Sequence, residues 1–220
     1  MEEMSMRPRR THVSYENLRL IGIPKELHHK TINDFETYGD EGLSEVKAII
    51  LQYINELHDN FRMNKGLLLY GSNGAGKTMI ASMILKESYM YRYSVRRVTF
   101  VDYISRYTHM WGASNPDEKE ALEEAFYTSY KAVEFLCLEE VGKEIDSKIA
   151  TPVLEDLLRY REDKGLVTII CTNLDADPIV ERYGESVASL IEGNMFPIKV
   201  VGEDRRFEFA EKRWRINEDN

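Results

Sequence analysis

The chain has 220 residues, 43% of them apolar, and a formal net charge of −9. That is enough chain for one good-sized domain with a buried core, and the negative charge argues against a uniformly basic nucleic-acid surface while permitting local basic patches. No run approaches the roughly 18–20 apolar residues of a membrane span, and Met1–Arg7 has no apolar stretch of the kind a signal peptide carries, so the expectation is a cytoplasmic protein with no membrane partner.

Taken in order, residues 1–20 read as a basic arm, polar and nearly aperiodic. Ordered structure is expected from Ile21-Gly22-Ile23-Pro24, followed by Thr31-Ile32-Asn33-Asp34-Phe35 and a turn at Gly39. Leu43, Val46, Ile50, Tyr53, Ile54, Leu57 and Phe61 recur at helical spacing and predict one helix over about 42–61. Gly66-Leu67-Leu68-Leu69-Tyr70 predicts a buried strand and Met79–Leu85 a helix. Between them lies Gly71-Ser72-Asn73-Gly74-Ala75-Gly76-Lys77-Thr78, the pattern of a phosphate-binding loop. Glycines let the backbone wrap a phosphate with its N–H groups inward, and the following helix N-terminus adds positive potential. Lys77 can reach the β- and γ-phosphates and Thr78 can place its hydroxyl on Mg²⁺.

Arg97–Asp102 alternates and predicts a second strand, with Tyr103–Trp111 helical after it. Asn115-Pro116-Asp117 opens another helix that continues through Ala121–Lys131. Ala132–Leu138 predicts a third strand, Pro152–Lys164 a helix closed by Gly165, and Leu166–Thr172 a fourth strand, apolar throughout. Asp177–Tyr183 and Glu185–Glu192 read as short helices around Gly184, and Phe196–Val201 as a fifth strand. Cys137 and Cys171 sit in apolar runs and read as buried thiols in a reducing compartment. Strands alternating with helices imply a parallel sheet covered on both faces. Three arginine-rich clusters are candidate basic patches: Arg7, Arg9 and Arg10; Arg92, Arg96 and Arg97; and Arg205, Arg206, Lys212, Arg213 and Arg215. Each can equally be a solvated charge cluster.

The third strand leads into Glu139-Glu140. In a parallel sheet with a phosphate loop, that strand end faces the nucleotide. The first acid can hold Mg²⁺, and the second can orient and deprotonate an attacking water. Asn173 ends the fourth strand, where a short amide can hydrogen-bond that water or the γ-phosphate.

Over about 21–206 the chain resembles the DnaC/DnaI-type helicase loaders and the related IstB transposition ATPases, within the AAA+ class. The similarity is carried by Ile23-Pro24, Thr31–Phe35, Gly66–Gly71 into the phosphate loop, Leu138-Glu139-Glu140-Val141-Gly142, Arg161 ahead of Thr168–Leu174, Tyr183-Gly184-Glu185 and Gly202-Glu203-Asp204-Arg205-Arg206. The resemblance implies an α/β fold, an AAA+ core of the ASCE P-loop NTPase type. It would have a five-stranded parallel sheet with helices on both faces, no full C-terminal lid domain, and a tail at 207–220. It implies ATP with Mg²⁺, assembly into a spiral or ring, and contact with a DnaB-type replicative helicase and single-stranded DNA. It makes Thr78 and Glu139 the metal positions, Glu140 the catalytic base, Asn173 the sensor and Arg206 a second sensor near the γ-phosphate.

Three departures stand out. Leu190 occupies the position of the family's trans-acting arginine finger, which implies slow hydrolysis or a finger from elsewhere, for example Arg182. Glu139 replaces the usual Asp, and the family's N-terminal helicase-binding domain is reduced to the arm, a compactness that suits a bacteriophage protein. A helicase loader is the first reading; Tyr103, Tyr107 and Trp111 are candidates to stack on bases or to pack in the core. An IstB-like transposition accessory ATPase and an ATP-gated adaptor that does not hydrolyse are the alternatives.

Overall fold

The computed structural model describes residues 7–112, 115–145 and 147–202. In chain order the elements are α1 (Tyr15–Leu20), α2 (Glu41–Asn55), α3 (Leu57–Arg62), β1 (Gly66–Tyr70), α4 (Lys77–Met90), β2 (Val95–Thr99), α5 (Phe100–Trp111), α6 (Pro116–Phe126), β3 (Phe135–Val141), α7 (Ser147–Asp163), β4 (Val167–Thr172), α8 (Ala176–Asn194) and β5 (Met195–Lys199). The strands form one five-stranded sheet in the order β2-β3-β4-β1-β5, and every neighbouring pair is parallel.

Alternate strand residues point to opposite faces. Leu67, Leu69, Phe135, Cys137, Ile169 and Cys171 pack with residues of α2, α3 and α4, whereas Leu68, Leu136, Leu138 and Ile170 pack with residues of α5 to α8. The sheet is therefore the middle of three layers, as the alternation of elements predicts. No helix among the described residues is long and apolar enough to cross a membrane.

Several boundaries differ from the sequence expectation. The predicted 42–61 helix is broken at Glu56, whose φ/ψ of −96°/19° leaves the helical region. The second strand ends at Thr99; its side chain accepts from the Asp102 N–H and caps α5, which takes Phe100–Asp102 into a helix. The third strand runs over Phe135–Val141, so both acids lie within it. Helix α7 begins at Ser147 and carries Pro152 inside it. Gly184, at φ/ψ 81°/168°, divides α8 where two helices were expected. Within the expected arm, Ser14 caps α1 and Leu18 is buried.

Candidate functional site

The phosphate loop joins β1 to α4, and its glycines are required by close approach. Gly76 precedes α4 at φ 103°. A Cβ there would lie 2.7 Å from Cε2 of the buried Phe35, so the Thr31–Phe35 segment forms the floor under the loop. A Cβ on Gly71 would lie 2.3 Å from the Val200 carbonyl oxygen, just beyond β5.

The loop side chains are satisfied within the chain. Lys77 Nζ donates to the Gly71 and Ser72 carbonyls at 2.8 and 2.7 Å and to Asn173 Oδ1 at 2.8 Å. Asn173 Nδ2 in turn donates to Asn73 Oδ1 at 2.8 Å. Asn173 thus ties the end of β4 to Asn73 within the loop and to Lys77 at the start of α4. Ser72 Oγ donates to the Gly202 carbonyl at 3.0 Å.

Glu139 continues the face of Phe135 and Cys137 toward α4, where Thr78 Oγ1 donates to its Oε2 at 2.7 Å. Its other oxygen accepts from Arg97 Nε at 3.1 Å, and the residue is only 3% exposed. Burial works against the Arg97 guanidinium, yet the Glu139 carboxylate holds its pKa above the ordinary arginine value. The thiol of Cys171 is pushed well up by its hydrogen bond with Cys137 and by burial. Thr78 and Glu139 present hydroxyl and carboxylate oxygens side by side, a hard-oxygen donor set that fits Mg²⁺.

Glu140 sits differently. Strand β3 carries an extra residue between the Leu138–Ile170 and Val141–Thr172 pairs, a bulge of the kind that re-aims side chains. Glu140 lies in it at φ 60°, the left-handed region. Its side chain is exposed and paired with Lys143 Nζ at 2.7 Å. The loop glycines Gly74 and Gly76, with Asn73, Lys77, Thr78, Glu139, Glu140 and Asn173, line one cleft of about 340 Å³, within the size range of small-molecule sites. Ala75 is buried behind the loop. Arg206 lies outside the described residues.

Several participants were not singled out by sequence. Lys143 lines the cleft with Glu26 and Leu27. Glu144 is buried and accepts from the Gly142 N–H at 3.0 Å, Arg182 Nε at 2.8 Å and the Tyr183 hydroxyl. Arg182, named above as a substitute finger, is therefore turned onto its own chain; the hydrogen bond with Glu144 raises its pKa. Leu190 is buried in the layer of α5 to α8.

Two of the candidate basic patches are consumed internally. Arg7 pairs with Glu134 at 2.5 Å, and Arg9 with Glu87 at 2.8 Å. Arg10 donates to the Tyr89 carbonyl, Arg92 to that of Pro8 and Arg96 to that of Ser129. The third patch lies outside the described residues. Of the three candidate stacking aromatics, Tyr103 is 1% exposed and belongs to the core, and Tyr107 packs on Trp111 and Phe126. Trp111 is 58% exposed, with Lys119 Nζ 4.6 Å from its ring centre.

Residues 67–183 match the ATPase family associated with various cellular activities (AAA). The chain is 26% identical over 154 residues to the replicative helicase loader DnaC of Buchnera aphidicola subsp. Baizongia pistaciae, across 70% of this chain and 60% of that protein. It is 28% identical over 155 residues to the replicative helicase loader DnaI of Bacillus subtilis, across 64% of this chain and 48% of that protein. The chain thus spans 60% or less of the length of these relatives. A crystal structure of the DnaC helicase loader has the same fold, with a TM-score of 0.69 at 21% identity over 81% of this chain and 100% of that one.

Proposed function

We infer the function from one premise: the chain belongs to the ATPase family associated with various cellular activities. The best-supported reading is an ATP-dependent loader of a hexameric, DnaB-type replicative helicase onto single-stranded DNA, working as a self-associated spiral or ring. The observation that carries the ATPase half is that Lys77, Thr78, Glu139, Glu140 and Asn173, from separate segments, face a single cleft. The helicase half is supported by the relatives, which are named replicative helicase loaders.

In this reading Lys77 exchanges its loop carbonyls for phosphate oxygens, and Asn173 holds the γ-phosphate through Nδ2 once that amide parts from Asn73, or the attacking water through the Oδ1 that Lys77 vacates. Glu140 takes a proton from that water once it parts from Lys143. Thr78 and Glu139 would hold Mg²⁺, which would supply Lewis-acid charge to the phosphates. Arg206 remains a proposed second sensor. ATP would order the interface between copies, and hydrolysis would release it.

A second reading, an ATP-gated adaptor that barely hydrolyses, is favoured by two observations: Leu190 is buried, and Arg182 is engaged by Glu144. ATPase rates with and without single-stranded DNA, for wild type and Glu140→Gln, separate the two. A DNA-stimulated rate lost in Glu140→Gln supports the loader; equal, negligible rates leave the adaptor. Co-purification with a DnaB-type helicase, with and without ATP, tests the partner. DNA-stimulated ATPase without helicase capture would point instead to an IstB-like transposition accessory ATPase.

A further inference from the structure

Both oxygens of the buried Glu139 carboxylate are committed, one to the Thr78 hydroxyl and one to Arg97. Arg97 lies on β2 opposite Cys137, and Thr99, two residues on, lies opposite Glu139. The guanidinium therefore reaches along the sheet face to the carboxylate. It is not a loose surface charge: its side chain is 17% exposed, Nη1 donates to the Gly22 carbonyl at 3.1 Å, and the Arg97 N–H donates to the Ile21 carbonyl at 2.8 Å. The Ile21–Ile23 segment is pressed onto β2 here, since a Cβ on Gly22 would meet the Arg97 carbonyl oxygen at 2.3 Å.

A buried carboxylate without a counter-charge would draw any small cation strongly. This one already has a cation, of the same sign as the metal expected at Thr78. The neighbouring acid, Glu140, is likewise balanced by Lys143. The length of Glu139 matters too. An aspartate would draw the carboxylate back by about 1.5 Å, one carbon–carbon bond, and would not keep both hydrogen bonds.

We propose that Arg97 is a counter-cation built into the metal site: a positioning residue that fixes Glu139 while withholding its charge from free Mg²⁺, so that the metal enters only together with the phosphates of a nucleotide. The inference rests on the cleft being an ATP·Mg²⁺ site, and the test keeps the two apart. Mn²⁺, followed by the loss of its free-ion electron paramagnetic resonance signal, is titrated into the protein without nucleotide and with a non-hydrolysable ATP analogue. Wild type without nucleotide is expected to bind Mn²⁺ weakly. Arg97→Met and Arg97→Gln are each expected to bind it about tenfold more tightly or better, Arg97→Lys is expected to match wild type, and Glu139→Gln added to Arg97→Met is expected to remove the gain. Tight Mn²⁺ binding by nucleotide-free wild type, no gain in either neutral variant, or a gain that survives Glu139→Gln overturns the proposal. Failure of wild type to bind the ATP analogue with Mn²⁺ sinks the reading of the cleft itself, a result visible without any Arg97 variant.

Discussion

Arg161 offers the sharpest test of how the sheet is held. It lies near the end of α7, is 1% exposed, and pairs with no carboxylate among the described residues. Its guanidinium donates to Thr168 Oγ1 at 2.8 Å and to the carbonyls of Lys131, Val133 and Val167 at 2.9, 2.8 and 2.6 Å. Those carbonyls lead into β3 and begin β4, at the sheet end opposite the cleft. Burial pulls the arginine pKa down to about 9, so the group is still charged at neutral pH. Arg161→Met keeps the aliphatic stem but strands the acceptors. The Val133 and Val167 bonds are buried; each stranded acceptor costs about 1–3 kcal/mol, and relief from burying a charge offsets part of it. A net loss of about 3 kcal/mol is expected, or roughly 6–12 °C in Tm for a domain of this size. Urea unfolding followed by circular dichroism, with m unchanged, measures it. Arg161→Lys should recover less than half, because three donors on a flexible stem do not match the planar fork. A loss under about 1 kcal/mol for Arg161→Met would mean that water reaches these carbonyls, and the clamp would be refuted.

Three further outcomes are expected. Glu140 holds φ 60°, which costs a non-glycine residue about 1–2 kcal/mol; Glu140→Gly should therefore unfold at higher urea than Glu140→Gln, by about 0.5–1 kcal/mol after the entropy of glycine is counted, while both lose turnover. Gly76→Ala combines a left-handed φ with a methyl driven into Phe35; it should lower stability by about 1–3 kcal/mol and ATP-analogue affinity by more than about tenfold, read by thermal melting and fluorescence titration. His58 accepts or donates one hydrogen bond with the Tyr93 hydroxyl and buries an unpartnered Nε2; burial and the charges of Arg7 and Arg62 lower its pKa. Its folded pKa therefore lies below the unfolded value of about 6.5. The unfolded chain binds the extra proton first, so stability is full above about pH 6.5 and declines as pH falls from there toward the folded pKa. A Tm series from pH 8 to 5 should show this decline flattened in His58→Phe; an unchanged slope would assign it to other groups.

The parts of the fold written as continuous apolar runs were legible. Strands β1 and β4 are central and buried on both faces, so hydropathy alone marks them. Edge strand β2 was not, because Arg97–Asp102 alternates like a strand while Thr99 and Asp102 also form a helix cap. Strand β3 was displaced because its end is set by pairing across the sheet, which lets a strand run on through two acids. The phosphate loop, Glu139, Glu140 and Asn173 could be expected to share a cleft because each lies in or just after the last residues of a strand, and parallel topology sends those ends to the same edge. Their partners could not. Arg97 pairs with a residue 42 positions away, and in sequence it looked like one of three surface arginines. Phe35 and Glu144 act through contacts that no local pattern encodes.

The geometry of the cleft carries a consequence for affinity. Lys77, Thr78, Asn173, Glu139 and Glu140 all have hydrogen-bonded partners within the chain. On the proposed reading, a phosphate entering the loop would exchange bonds at these side chains and add them only at the loop N–H groups, and neutral exchanges are worth only about 0.5–1.5 kcal/mol each. Among the side chains the gain would come where a charge-assisted bond replaces one to a neutral carbonyl, and Lys77 is the clearest such place: its ammonium would leave the Gly71 and Ser72 carbonyls for anionic oxygen. On the proposed reading the same exchange would free Asn173 Oδ1 while its amide stays on Asn73, so phosphate binding at Lys77 would loosen the sensor by one of its two bonds to the loop.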